Sequence, residues 1–357
     1  MKKTIHFAYT VPRGNLVFRI INKFVEKTNI VQPLHRNGNN FFIPWKKPLR
    51  QPHCISLNLL NAFKKISNVK FYDYLEHTVC KLKEGDIFIG VPAPDYSFIP
   101  CKNADYESVT YRTLKEFPNN KKFIIMPYTH DPLYNQWWAE LLQYTENLIL
   151  ICGKMWTENW QISPLYKYGQ KNILRMDIGI DLDEYPKVKT KFNPKGKRKF
   201  LYMGHTHWYK NTKQLEKIAE KYPNFQGGHI GSGQIKGWKK ISEFADLTPE
   251  FMTKIADEYD IFLNTSSADA NPRMILENMC FGFPIACTIE SGYDQETYPY
   301  FYRLDKDNTE FNRRQLDVLQ NTDQEEFLVR AEQNREIAKK HHNWNDICKK
   351  VVNFINR

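Results

Sequence analysis

The sequence predicts an α/β protein built as two successive doubly wound domains with a cleft between them. Three observations carry this. Short apolar strand segments alternate with helical ones along the chain, the pattern of a parallel sheet. A Lys- and Pro-rich segment over 182–198 interrupts the alternation, which then restarts. The length of 357 residues matches two domains at roughly 150 residues each.

Composition narrows the class. Hydrophobic residues at 41% and charged residues at 25% are ordinary for a globular chain. Aromatic residues at 14% exceed what disordered chains carry. No apolar run approaches the roughly 18 residues of a membrane-spanning helix. The longest, Leu148-Ile149-Leu150-Ile151-Cys152, reads as one buried strand. Met1-Lys2-Lys3 has the charge of a signal-peptide start, but His6, Thr10, Pro12 and Arg13 break the apolar stretch that must follow. The expected location is the cytoplasm, extending to peripheral attachment at the inner membrane face. Seven scattered cysteines, odd in number and without CxxC spacing, predict neither a disulfide framework nor a zinc site. A net charge of +11 favours a polyanionic partner: nucleic acid, an anionic membrane surface or a phosphorylated substrate.

The elements follow in order. Residues 3–9 form a first strand, Gly14 and Asn15 a turn, and Leu16, Val17, Ile20, Ile21, Phe24 and Val25 recur at helical spacing. Residues 31–54 hold Arg36, Lys46, Lys47 and Arg50 with Phe41, Phe42 and Trp45 and no acid. This basic aromatic loop suits an anionic acceptor, a lipid headgroup or nucleic acid, or packs its aromatics on the domain as a plain connection. A helix over 56–66 leads to strands at 69–72, 86–90 and 122–127, a helix from Trp137 to Tyr144 and a strand near 147–152. After the linker come a strand at 200–203 ending on Gly204, a helix at 212–222, a strand from Phe225 to Ile230 and the turn Gly231-Ser232-Gly233. Thr248-Pro249-Glu250 is a helix start, with an N-cap and Pro in the first position. A strand at 260–263, a helix at 273–281, a strand at 284–287 and helices near 324–340 and 344–356 complete the chain.

One string carries the most chemistry: Asp269-Ala270-Asn271-Pro272-Arg273, then Glu277 on the helix, Gly282 and Pro284. A loop entering a helix offers backbone N–H groups and a positive dipole end to a phosphate. Glu277 can accept from sugar hydroxyls and Asp269 from a second polyol. The string resembles the E-x7-E region of retaining GT-B glycosyltransferases, with Asp for the first Glu and Ala270-Asn271-Pro272 for Gly-Phe-Gly. Further matches keep the family's order. Tyr128-Thr129-His130-Asp131 resembles its His-Asp, and Met176-Asp177-Ile178-Gly179-Ile180-Asp181 with Tyr185-Pro186 the junction opening its second domain. Gly204-His205 with Lys210-Asn211 resembles its Gly-Arg…Lys-Gly pair, His205 standing for Arg. Asn343-Trp344 resembles the tail that crosses back onto the first domain.

The resemblance implies two Rossmann-like domains: residues 1–182 with a C-terminal helix over 342–357 on the acceptor side, and 183–341 binding the nucleotide sugar. It implies a retaining, hexosyltransferase-like enzyme that moves a sugar from a UDP- or GDP-sugar, with no metal and no cofactor. Glu277 is expected to hold the ribose and Asp269 the transferred sugar. Lys210, helped by His205 or Arg273 and by the Ala270 and Asn271 amides, is expected to neutralise the diphosphate. Gly14 and Gly204 are expected to line the donor site, and His130 to position the donor sugar. The acceptor is expected to be a glycan or lipid-linked glycan of cell-surface polysaccharide or lipopolysaccharide assembly, met by Arg36, Trp45, Lys46, Lys47 and Arg50. DNA is the alternative acceptor, since phage DNA-modifying glucosyltransferases share the architecture. A non-catalytic relative that binds glycan or nucleic acid is the remaining rival. No GxGxxG follows the first strand, which disfavours a nucleotide-sugar epimerase.

Overall fold

The computed structural model describes residues 3–10, 52–94, 104–126, 141–162, 172–245 and 247–357. The helix expected after Asn15, most of the basic loop and the start of the helix expected from Trp137 lie outside the described residues. The chain divides into two compact units. One comprises Met1–Ile151, Thr157–Met176 and Asn345–Arg357; the other comprises Cys152–Trp156 and Asp177–Trp344.

The first unit is built on six parallel strands: β1 (Thr4–Tyr9), β2 (Asn68–Asp73), β3 (Ile87–Gly90), β4 (Lys121–Met126), β5 (Asn147–Ile151) and β6 (Asn172–Met176), in the order β2-β1-β3-β4-β5-β6. Ile5 lies opposite both Val69 and Ile87, and Ile124 opposite Leu148. Central strands of a parallel sheet covered on both faces read as continuous apolar runs. Phe123-Ile124-Ile125-Met126 and Leu148-Ile149-Leu150-Ile151 are such runs, and all eight residues are buried. Helices α1 (His53–Ile66), α2 (Val109–Glu116) and α3 (Lys154–Ile162) belong to the connections. Leu59, Leu60 and Phe63 form the buried face of α1, and Phe63 meets Phe7 of β1 edge-on at 5.1 Å.

The second unit repeats the plan. Its strands are β7 (Phe200–Met203), β8 (Gly227–Ile230), β9 (Lys239–Ser242), β10 (Ile261–Asn264), β11 (Ile285–Cys287) and β12 (Tyr302–Arg303). Their order is β12-β11-β10-β7-β8-β9, all parallel. Successive side chains of a strand point to opposite faces, and β7 shows it. Leu201 and Met203 join Phe262 of β10, Ile275, Leu276 and Met279 in one core cluster. Phe200 and Tyr202 join Ile261, Leu263, Leu215 and Ile218 in another. Two cores, one on each face, are what a doubly wound sheet requires.

The helices of this unit are α4 (Thr212–Lys221), α5 (Pro249–Glu258), α6 (Arg273–Phe281), α7 (Thr309–Asn321) and α8 (Gln324–His341). Thr248 caps α5 as expected, its hydroxyl accepting from Phe251 N–H at 3.4 Å. Gly282 ends α6 in the left-handed region at φ 91°, a conformation cheap for glycine alone. Helix α9 (Trp344–Asn356) returns to the first unit. There Phe354 packs on Phe123 at 5.6 Å and Lys121 Nζ donates to the Ile355 carbonyl. Just before it, Ile180 N–H donates to His342 O at 2.8 Å. His342 Nδ1–H donates to Ile178 O, and its Nε2 lies 2.7 Å from the Tyr298 hydroxyl.

The segment over 182–198 is anchored in the second unit, where Lys189 and Arg198 are buried. Lys189 Nζ lies 3.0 Å from Asp260 Oδ1 and donates also to Ala256 O and Tyr259 O. Its acid partner is 71 residues away, beyond any local pattern. The strands β6, β9 and β12 and helices α2, α3 and α7 were not evident from the sequence. Asn-Ile-Leu-Arg-Met and Lys-Lys-Ile-Ser are edge strands, too exposed to leave an apolar run. The six described cysteines are buried; Cys101 lies outside the described residues.

Asp260 is wholly buried, and burial pulls the Lys189 ammonium below its ordinary range. Replacing Asp260 with Ala strands that cation. We expect a loss of about 3 to 5 kcal/mol, measured by denaturant unfolding of the second unit.

Candidate donor-binding site

In the second sheet β7 lies beside β10, and the connections that follow them run to opposite sides of the strand order. That is the topological switch point, and doubly wound sheets bind ligands outside the carboxyl ends of the strands there. The two loops at this point are residues 204–211 and 265–272.

The loop after β7 is shaped by backbone packing. Gly204 N–H donates to Ile230 O at 2.8 Å, and His229 Nε2–H donates to Gly204 O at 2.9 Å. A Cβ on Gly231 would stand 1.9 Å from Gly204 O, so the two turns admit glycine at that contact. A short 3-10 turn, Trp208–Lys210, follows, and Asn211 in the left-handed region (φ 50°) leads into α4.

The loop after β10 is tied to the first. Ser267 N–H and Ala268 N–H both donate to Tyr209 O, at 2.9 and 3.3 Å, and the Thr265 hydroxyl donates to Asn211 O at 3.1 Å. Further along, Asp269 N–H donates to Glu290 O, and Gly153 N–H to Ala270 O. This stitching brings Lys210 Nζ onto Asp269 Oδ2, where the two form an ion pair. Their side chains keep 13% and 15% exposure. Helix α6 then starts at Arg273. Its N-cap is Pro272, which supplies no side-chain hydrogen bond, and a helix N-terminus presents N–H groups that its own turns do not satisfy. Asn271, just before it, is buried, and its Oδ1 has no hydrogen-bond partner among the described residues.

His205 stands beside the pair. Its Nε2 lies 3.0 Å from the Tyr209 hydroxyl and its Nδ1 3.4 Å from His207 N–H. Burial first, then the nearby Lys210 and His207 charges, push its pKa down to about 4. The ring is neutral at pH 7. It carries no positive charge there and acts as a hydrogen-bonding group.

Over the first turn of α6 lies a second, deeper cluster. Arg273 Nε is 2.9 Å from Glu277 Oε1. The Tyr185 hydroxyl donates to the same oxygen at 3.1 Å and accepts from Arg273 Nη2 at 3.1 Å. All three are buried, Glu277 at 2% exposure. Burial, then the Glu277 charge, raises the Tyr185 pKa, so the phenol keeps its proton and donates it. The arrangement sets Arg273 against Glu277 and Tyr185.

The structure thus brings Lys210, His205 and Asp269 together, next to Gly204, Ala270 and Asn271. It brings Arg273 and Glu277 together around Tyr185. His130, Gly14, Arg36, Trp45, Lys46, Lys47 and Arg50 lie outside the described residues. Sequence reasoning missed Tyr209, whose carbonyl joins the loops, and the place of Tyr185 against Glu277. The only trace of the latter was Tyr185-Pro186 in the junction motif.

The sequence matches no family model and no curated protein. Solved structures do match it. An α-glucosyltransferase in complex with UDP-glucose and DNA containing an abasic site aligns with a TM-score of 0.58 at 11% identity, over 100% of both chains. Sucrose-phosphate synthase from Thermosynechococcus elongatus aligns with a TM-score of 0.57 at 11% identity, over 99% of this chain and 98% of that one. TarM aligns with a TM-score of 0.55 at 12% identity, over 85% of this chain, which spans 58% of TarM's own. The likeness is one of fold: the chain has the two-domain, Rossmann-like GT-B fold.

Two outcomes follow from the site's electrostatics. Arg273→Met leaves a buried carboxylate without its cation and should cost about 3 to 5 kcal/mol in a denaturant titration. For His205, the folded pKa of about 4 lies below the ordinary value of 6.5. Between those values the unfolded chain holds the proton and the folded one does not. Its contribution to stability is therefore present above pH 6.5 and lost as pH falls toward 4. The melting temperature of His205→Gln should fall less than that of the unaltered protein between pH 7.5 and pH 4.5.

Proposed function

We propose that this protein is a glycosyltransferase that takes a sugar from a nucleotide-diphosphate sugar, retains its anomeric configuration and passes it to a glycan or lipid-linked acceptor. The observation that carries the reading is the meeting of Lys210, Asp269 and the N-terminus of α6 at the switch point of a GT-B fold. A phosphate suits a helix N-terminus. Lys210 supplies the cation for the charge that develops on the leaving diphosphate, and such stabilisation is a large catalytic term. Asp269 takes hydroxyls of the transferred sugar. Glu277, fixed by Arg273 and Tyr185, serves the ribose end. His130 positions the donor sugar from the first domain. The chemistry then needs no metal, and same-face attack by the acceptor hydroxyl as the diphosphate departs preserves configuration without a covalent intermediate.

The glycan or lipid-linked acceptor is supported by the basic aromatic segment bearing Arg36, Trp45, Lys46, Lys47 and Arg50, which suits an anionic surface. A second reading, DNA as acceptor, is favoured by a specific observation. The α-glucosyltransferase solved with UDP-glucose and DNA aligns over the full length of both chains, and a net charge of +11 suits a phosphate backbone.

The test is incubation with UDP-, GDP-, ADP- and CMP-sugars, following thermal stabilisation and slow donor hydrolysis. One nucleotide class should stabilise the protein and be hydrolysed, and Lys210→Met should lower that hydrolysis about 100-fold or more. Vesicle pelleting against DNA gel shift, both across salt, separates the acceptors. No response to any donor, with salt-sensitive binding to DNA or vesicles, would sink the transferase reading.

A further inference from the structure

The Lys210–Asp269 pair joins two groups to which the proposed function gives different parts of one donor. We infer that this pair makes the site discriminate between the intact nucleotide sugar and its nucleoside diphosphate product. The inference rests on the donor-site reading.

The physical argument starts from what the pair holds. Lys210 and Asp269 are mostly withdrawn from water, yet each keeps a little exposure. Removing one member of such a pair leaves the other desolvated without a counter-charge. A nucleoside diphosphate draws Lys210 to its phosphates and offers Asp269 nothing. It also brings negative charge up to that carboxylate. A nucleotide sugar draws Lys210 in the same way but brings hydroxyls that donate to Asp269, so both halves of the broken pair find partners. The stitching of the two loops through the Tyr209 carbonyl holds them in place, so relaxation of the loops does not easily relieve the stranded carboxylate. His205 adds no cation to the balance, because burial holds it neutral at pH 7. Arg273 is paired with Glu277. Re-formation of the pair on loss of the sugar therefore drives the diphosphate out.

The test is a double-mutant cycle read by calorimetric titration with UDP and with GDP, and with UDP-glucose and GDP-mannose. Asp269→Asn removes the competing carboxylate and keeps the shape. It should bind the preferred diphosphate about five- to tenfold more tightly than the unaltered protein, while its affinity for the matching nucleotide sugar rises less or falls. Lys210→Met should weaken diphosphate binding, and in Lys210→Met/Asp269→Asn the gain should disappear. Melting curves establish that each variant is folded. If Asp269→Asn is folded and binds the diphosphate no more tightly than the unaltered protein, the inference fails while the donor site stands. If a gain persists in the double variant, it does not come from Lys210, and the inference fails again. If the unaltered protein and the variants bind neither nucleotides nor nucleotide sugars, the donor-site reading fails and takes the inference with it.

Discussion

Parallel pairing of β10 with β7, Ile261 opposite Phe200 and Phe262 opposite Leu201, is the constraint on which the candidate site depends. It places two loops that are some 60 residues apart in sequence at neighbouring strand ends. The Tyr209 carbonyl then accepts from Ser267 and Ala268 and makes one backbone-bonded rim of them. Lys210 meets Asp269 only because that rim exists. The glycine contact of Gly231 with Gly204 O supports the same rim from the β8 side.

Three ion pairs in the second unit form a series in exposure, and the series separates their work. Lys189–Asp260 has side chains at 1% and 0% exposure and holds the incoming segment to the start of β10. Asp260 also accepts from Asn193 and from Lys199 N–H, so the buried charge is fully hydrogen-bonded. Such a pair orders a fold and meets no ligand. Arg273–Glu277, at 6% and 2%, lies between helix α6 and the segment bearing Tyr185. It sets the orientation of a carboxylate. Lys210–Asp269, at 13% and 15%, is the most exposed of the three. The cost of separating a pair falls as solvent takes over the charges, so the most exposed pair is the least costly of the three to part.

Much of this was legible in the sequence. Strand cores such as Lys122–Met126 and Leu148–Ile151 announce themselves as apolar runs, because both faces of a parallel sheet are covered. Thr248-Pro249 announces a helix because its cap is local. Edge strands β6 and β9 do not, because nearly all their side chains are exposed or only half-buried. Asp269, Lys210 and Glu277 stood out by spacing against a known pattern. That spacing says which residues are eligible. It does not say that Arg273, four residues before Glu277, pairs with it. That choice depends on Tyr185, 88 residues from Arg273.

The sequence by itself determined the α/β class, the two-part organisation and the residue types at the strand ends, because periodicity, caps and glycine turns act over a few residues. It also determined the +11 charge. Only the tertiary structure decided which charges pair. Strand order joined Lys210 to Asp269, burial made His205 neutral and Lys189 structural, and the entry of the 177–189 segment set Tyr185 on Glu277. Those outcomes depend on dielectric surroundings and on contacts between distant segments, and neither is written in a local pattern.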